Sequence, residues 1–148
     1  MLKFNYSFQK VVDLKTSEKS HAEMHLSSAI GQLQAEKHTL GQLFSDKDQM
    51  ADSLQTQATN AVSAFQLQQM QDYINYIDQC ILQKRQDIQT AQVKVEEKKE
   101  HLTTKMLDEK VWLQARGKAL ESFQKEESLR EQNELDEMAT VRFASRTR

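Results

Sequence analysis

Two histidines one helical turn apart are the first residues in this chain whose types could do chemistry. His21 and His25 enclose Glu23 in the sequence His-Ala-Glu-Met-His, and two imidazoles at this spacing share one face of a helix and can bind zinc. The zinc-protease pattern instead has its glutamate directly after the first histidine. No cluster of further ligands accompanies the pair, so the sequence predicts no metal site.

The carboxylates and glycines form no catalytic pattern either. Carboxylates are numerous, with 22 Asp and Glu residues, but on a helical surface they stay solvated at ordinary pKa values and make poor general acids or bases. The two nearest glycines, Gly31 and Gly41, stand too far apart for a phosphate-binding loop. We therefore predict a protein that is not an enzyme and that needs no cofactor.

A seven-residue repeat of apolar side chains predicts the fold on which these residues lie. In the second half of the chain it runs through Ile74, Ile81, Ile88, Val95 and Leu102, with Met70, Ile77 and Ala91 between them. The first half has a seam of Leu26, Ile30, Leu33, Leu40, Phe44, Ala51, Leu54 and Ala58. Apolar residues at alternating steps of three and four form the seam of a coiled coil. Such a chain predicts a rod or a docking surface, because a long seam leaves little interior for a pocket.

Composition also favours long helices. The 148 residues include no proline and three glycines, the two residue types that most disturb a helix. Four lysines interrupt the seams, at positions 37, 47, 84 and 98. We interpret them as tuning the register of the coil, since their long stems can lie along a seam with the ammonium in water.

One break in the pattern predicts a turn. Thr59 and Asn60 favour turns, and Ser63 with Gln66 matches a capping box that opens a new helix. We predict one hairpin of residues 1–148, with helices over 5–58 and 63–141, a turn at 59–62 and a frayed tail at 142–148. The fold class is all-α: a long two-helix antiparallel coiled-coil hairpin. Because Phe4 falls opposite about residue 117, the second helix overhangs the first.

Charge and cysteine content narrow the function. The net charge is −2, with 20 Lys and Arg against 22 Asp and Glu, so no basic stripe favours nucleic acid or a membrane surface. Cys80 is the single cysteine, which indicates a reducing compartment. No apolar run approaches the length of a membrane span, and the first residues lack a signal-peptide core. We expect a cytoplasmic protein with no direct membrane insertion.

Both ends of the chain carry a recognisable pattern. The start has Phe4, Phe8, Val11 and Leu14 at steps of four, three and three. The far end carries Glu131, Gln132, Asp136, Glu137, Ala139 and Arg142. These patterns, with Gln68-Gln69 ahead of Tyr73-Ile74, resemble the FliJ family, small coiled-coil proteins of the flagellar type III export apparatus. The resemblance covers essentially the whole chain.

This resemblance implies a hairpin similar to the central stalk of rotary ATPases. In the family, the two termini enter the ring of the export ATPase and promote hexamer assembly, while the turn-side part reaches the export gate. Empty substrate chaperones are also bound. The resemblance thus implies a monomer on its own, cytoplasmic and peripherally associated with the export apparatus of the inner membrane.

The resemblance and the overhang together predict two sets of contact residues. The ATPase-ring contact is predicted at Phe4, Phe8, Leu135, Asp136, Glu137, Met138 and Arg142. The export-gate contact is predicted at His38, Tyr73, Ile77 and Cys80. Ile77 also lies on the predicted seam, so a position in the core is its alternative.

Two other functions stay open at this point. One is the equivalent stalk, YscO-like, of a virulence type III secretion system. The match at Asp136, Glu137, Ala139 and Arg142 favours the flagellar family over it. The other is a generic coiled-coil scaffold.

Overall fold

A computed structural model describes residues 2–146 of the chain and contains two helices. Helix α1 spans Gln9–Ala58 and has 50 residues, and helix α2 spans Ala64–Arg146 and has 83 residues. No strand occurs among the described residues. The predicted fold class, an all-α hairpin of two long helices packed together, is confirmed.

Hydrogen bonds made by polar residues of this segment form the turn between the two helices. The Thr59 hydroxyl donates to the Thr56 carbonyl at 2.7 Å, and the Asn60 amide donates to the Gln57 carbonyl at 3.1 Å. The Gln66 amide donates to Ser63 Oγ at 3.3 Å, so Ser63 caps the start of α2. The sequence predicts that α2 begins at this serine, whereas the helix begins one residue later because the cap itself is non-helical.

The two remaining helix ends differ more from the sequence prediction. Helix α1 begins at Gln9 rather than at residue 5, because the backbone first turns at Ser7 and Phe8. There the Gln9 amide donates to the Tyr6 carbonyl at 3.1 Å and the Val12 amide to the Phe8 carbonyl at 3.1 Å. Helix α2 continues to Arg146, beyond the predicted end at 141. The segment 142–146 contains no proline or glycine that would end the helix, and residues 147–148 of the predicted tail lie outside the described residues.

Contacts between the helices divide the structure into two compact units, and both helices contribute to each. The turn unit consists of His21–Thr103. The terminal unit combines the chain up to Ser20 with the chain from Thr104 onward. Each unit contains a stretch of α1 beside a stretch of α2 that runs in the opposite direction.

The core of the turn unit contains short side chains from α1 and mostly branched side chains from α2. Ala22 and Ala29 are 2% and 7% exposed. Within this unit, the buried residues of α2 are Ile74, Ile77, Ile81, Ala91 and Val95. This confirms the predicted seam of α2 at these positions. The predicted seam of α1 is wrong at Phe44, Ala51 and Ala58, which are exposed.

Two of the four lysines that interrupt the predicted seams form ion pairs between the helices of the turn unit. Lys47 Nζ lies 2.6 Å from Asp78 Oδ1, and Lys84 Nζ lies 2.8 Å from Glu36 Oε2. The hydrogen bond from Lys84 to Glu36 is the main cause that raises the pKa of this lysine. Partly exposed ion pairs stabilise by about 0–1 kcal/mol each, so their larger effect is to fix which residues of the two helices lie side by side.

Ion pairs also join the helices of the terminal unit, around the buried Val12. The distances from Nζ to the carboxylate oxygen are 2.8 Å for Lys15–Asp108, 3.1 Å for Lys19–Glu109 and 3.2 Å for Lys105–Glu18. Glu109 is 8% exposed, and hydrogen bonds from Lys19 and then Thr16 hold the pKa of its carboxyl below the ordinary value. A buried carboxylate thus replaces an apolar side chain in this seam.

Candidate partner-binding surfaces

The far end of α2 lies uncovered in the terminal unit. From Ser128 to Arg146 every residue of the helix is exposed, and we call this segment the overhang. Its large apolar side chains are Leu129, Leu135, Met138, Val141 and Phe143, exposed by 55–71%. Monomeric proteins rarely leave an apolar stripe of this kind open unless a partner covers it.

A shallow groove runs along the overhang between apolar and charged side chains. It is lined by Glu134, Glu137, Met138, Val141 and Arg142. Residues three and four apart on a helix share a face, which brings Met138 beside both Val141 and Arg142. The groove therefore combines two apolar side chains with two carboxylates and one guanidinium.

Five of the seven predicted ATPase-ring residues lie together on this overhang. They are Leu135, Asp136, Glu137, Met138 and Arg142, and all are exposed. Sequence reasoning missed Val141, which lines the same groove. Its position three residues after Met138 was the signal that could have found it.

The other two predicted residues, Phe4 and Phe8, pack elsewhere on α2. The centroid of the Phe4 ring lies 5.4 Å from that of Phe123, and the Phe8 ring lies 6.0 Å from Trp112. Phe123 precedes Leu135 by a stretch of helix about 18 Å long at 1.5 Å per residue. The structure therefore does not bring the two phenylalanines to the apolar stripe of the overhang.

The aromatic side chains of the chain start fasten this segment to α2. Phe4 is half-buried, and the guanidinium carbon of Arg116 lies 5.4 Å from the centroid of its ring, which is cation–π geometry. Arg116 Nε also donates to Gln9 Oε1 at 2.8 Å. These contacts give Phe4 and Phe8 a packing role within the terminal unit.

A second exposed patch lies on α2 in the turn unit, close to the turn. Phe65, Tyr73 and Tyr76 are 70%, 45% and 60% exposed, and the two tyrosine rings lie 6.5 Å apart. Tyr76 shares a face with the half-buried Cys80, four residues on. A hydrogen bond with the Cys80 thiol raises the pKa of Tyr76. We call these four residues the aromatic patch.

The four predicted gate residues lie in three different places. Tyr73 and Cys80 belong to the aromatic patch, whereas Ile77 is 2% exposed in the core of the turn unit. The alternative interpretation of Ile77, a core position, is the one that the structure favours. His38 is exposed on α1, where its Nε2 lies 3.2 Å from Gln42 Nε2. The ion pair of Glu36 with Lys84 sets His38, two residues after Glu36, about level with Lys84 and away from Tyr73.

The described residues lack a metal-binding cluster and a membrane-spanning helix. Among residues 2–146 there is no group of three or more His, Cys, Asp or Glu side chains that could hold a metal ion. No helix within the same range has the length and apolar character needed to cross a bilayer. Both surfaces are open and can bind a macromolecule.

Comparison with known proteins decides the family. The family model for the flagellar FliJ protein matches residues 4–148, a range that includes both helices and both end patterns. The chain belongs to the flagellar FliJ family. The resemblance seen in the sequence is thereby confirmed.

Two known proteins illustrate how far this FliJ-family chain has diverged. The flagellar FliJ protein of Bacillus subtilis (strain 168) is 20% identical over 140 residues, which cover 95% of each chain. A solved structure from Chlamydia trachomatis, of a protein described as a YscO homologue, matches with a TM-score of 0.67 and 18% identity over 94% of each chain. At this identity the structural likeness shows a shared fold and nothing about individual contacts.

Proposed function

We propose that this chain is a non-enzymatic, stalk-like component of the flagellar type III export apparatus, and that its overhang enters the ring of the export ATPase. In this proposal the overhang promotes assembly of the ATPase hexamer. The uncovered apolar stripe of Leu135, Met138 and Val141 is the observation that carries it, together with family membership. The chain acts in the cytoplasm, at the export apparatus of the inner membrane.

The chemistry of the overhang suits the inner surface of a protein ring. Burying Leu135 or Met138 against a partner gains about 1.5–3 kcal/mol per side chain, and both are more than half exposed in the free chain. Arg142 lies at the far end of the same groove and can pair with a carboxylate of the ring. Asp136 and Glu137 add directional contacts on the flank of the stripe.

Paired substitutions on two sides of the overhang test this proposal. Leu135→Ser with Met138→Ser removes the stripe, while Asn133→Ala with Thr140→Ala changes the opposite side of the same helix. We expect the first pair to lower stimulation of ATP hydrolysis and hexamer assembly by the purified ATPase, and the second pair to leave both near the wild-type level. If both variants stimulate the ATPase equally, the apolar stripe is not the surface that acts on the ring.

The aromatic patch is our proposed contact for the cytoplasmic part of the export gate protein. Exposed tyrosine and phenylalanine side chains are typical anchors of protein interfaces, and Phe65, Tyr73 and Tyr76 lie open on one stretch of α2. His38, about level with Lys84, borders this contact on the side away from the turn, while Ile77 supports it from the core. Tyr73→Ala should weaken binding to the gate protein. Unchanged binding would show that Tyr73 only packs locally against Tyr76.

The same chain is proposed to bind empty substrate chaperones, as the family resemblance implies. The shared fold with a YscO homologue also supports the second candidate, a stalk of a virulence secretion system. Deletion of the gene separates the two, since loss of swimming with intact effector secretion supports the flagellar function. Intact swimming with lost effector secretion supports the virulence stalk.

A further inference from the structure

Unpaired cations distinguish one groove of the turn unit. Half-buried lysines beside the seam otherwise have a carboxylate partner on the other helix, as Lys15, Lys19, Lys47, Lys84 and Lys105 do. Lys98 is also half-buried, yet no carboxylate of the described residues forms an ion pair with it. The stem of Lys98 can lie along the seam with its ammonium in water, so this ammonium is available to a negative group of a partner.

The surroundings of Lys98 supply further donors for such a group. The groove between the helices is lined by His25, Ser28, Ala29, Gln32, Lys94 and Lys98. We call it the basic groove. Lys94 and Lys98 stand one turn apart on α2 and share a face, and Lys94 too has no ion pair within the described part of the chain. The floor at Ala29 is buried, while ammonium, imidazole, hydroxyl and amide groups line the sides.

The groove suits a few carboxylates better than a polyanion. Glu97 lies beside Lys94 in an adjoining groove, and the chain carries a net charge of −2. Two lysines can each pair with one carboxylate, but they are too few to hold a nucleic-acid backbone, whose affinity comes from many phosphate contacts. Val93 lines the adjoining groove and is 53% exposed, so apolar contact is available next to the charges.

We propose that the basic groove binds an acidic amphipathic helix of a protein partner. Carboxylates one turn apart on that helix pair with the ammonium groups of Lys94 and Lys98, which have the same spacing, and the His25 imidazole contributes a hydrogen bond. An apolar side chain of the partner contacts Val93. None of the residues of this site is proposed to contact the ATPase ring or the gate. A negative result for this site would therefore leave those two proposals unaffected.

A titration with a defined peptide tests the proposal on the full chain. The probe is a synthetic helical peptide with glutamates four residues apart, and the matched probe has glutamine at the same positions. We expect the glutamate peptide to shift the nuclear magnetic resonance signals of His25, Lys94 and Lys98, and the binding to weaken with added salt. Lys94→Gln with Lys98→Gln should weaken binding by about fivefold or more, as the loss of two ion pairs implies.

The matched control removes equal charge elsewhere. Lys37→Gln with Lys110→Gln changes two exposed lysines that have no ion pair in the described residues, and it should leave binding unchanged. Circular dichroism checks that each variant stays helical, and Lys94→Gln alone serves if the double variant unfolds. Equal binding of the glutamine peptide, or equal loss in the control variant, would overturn the proposal. So would tighter binding of a nucleic-acid oligomer, or displacement of the peptide by millimolar inorganic phosphate.

Discussion

Shortening Ile77 to alanine should destabilise the turn unit far more than the same change at its neighbour Tyr76. Ile77 is 2% exposed and Tyr76 is 60% exposed, so the two residues differ in burial at almost the same place on α2. Ile77→Ala deletes three buried carbon groups at about 0.8 kcal/mol each, or about 2.4 kcal/mol of transfer free energy. The cavity that is left adds to this, within the usual range of about 2–5 kcal/mol.

Urea unfolding followed by circular dichroism at 222 nm measures the difference. With a denaturant slope of about 1–3 kcal/mol/M, Ile77→Ala should lower the urea midpoint by roughly 1 M or more. Tyr76→Ala should change the free energy of unfolding by no more than about 0.5 kcal/mol, as is usual for exposed positions. A drop of less than about 0.5 kcal/mol for Ile77→Ala would refute its position in the core.

Three further predictions concern the terminal unit and the turn. The lowered pKa of Glu109 means that the unfolded chain binds more protons at this group. Its contribution to stability is therefore present above the ordinary glutamate value of about 4.3 and is lost as the pH falls through the lowered pKa. Urea midpoints should fall more between pH 6 and pH 3 in the wild type than in Glu109→Gln, and parallel curves would contradict the assignment. Phe8→Ala should shift the fluorescence of Trp112 to longer wavelength, because their ring contact is removed; an unchanged spectrum would show that the rings do not pack. Ser63→Ala removes the cap of α2 and should cost about 0.5–2 kcal/mol in urea unfolding, whereas no loss would show that the turn does not depend on the cap.

The parts of the fold that repeat along the chain could be predicted from sequence. Ile74, Ile77 and Ile81 are large apolar residues at heptad spacing, and burying each gains enough free energy to set the register of α2. Ser63 could be recognised as a cap because the capping pattern is local. Long, regular features depend on neighbours in sequence, and these are visible in the printed chain.

The features that depend on contact between distant residues could not be predicted. Ala22 and Ala29 are the buried core residues of α1 in the turn unit, but alanine is also common on exposed helix faces and gives little periodic signal. Phe44 has seam spacing yet is 37% exposed, with the guanidinium carbon of Arg85 5.6 Å from its ring centroid. Which side of a helix meets its partner is decided by such pairs.

Of the candidate sites, too, one part could be predicted from the sequence and the rest could not. The stripe of Leu135 and Met138 could be found from spacing together with the length of α2, since nothing in the sequence was long enough to cover it. The packing of Phe4 on Phe123 could not, because an aromatic residue near a chain start looks the same whether it binds a partner or its own helix. The basic groove needs the observation that Lys98 has no ion pair within residues 2–146, and this comes only from the positions of the surrounding carboxylates.

Truncation after Gln132 tests the central claim most directly, because it removes the overhang's stripe and keeps every contact between the helices described above. Stimulation of hydrolysis by the purified export ATPase is measured for the truncated and the full-length chain at equal concentration, with circular dichroism confirming that the rest stays helical. We expect the truncated chain to stay folded and to lose most of the stimulation and of the hexamer assembly. If it stimulates the ATPase as well as the full-length chain does, the overhang is not the surface that acts on the ring.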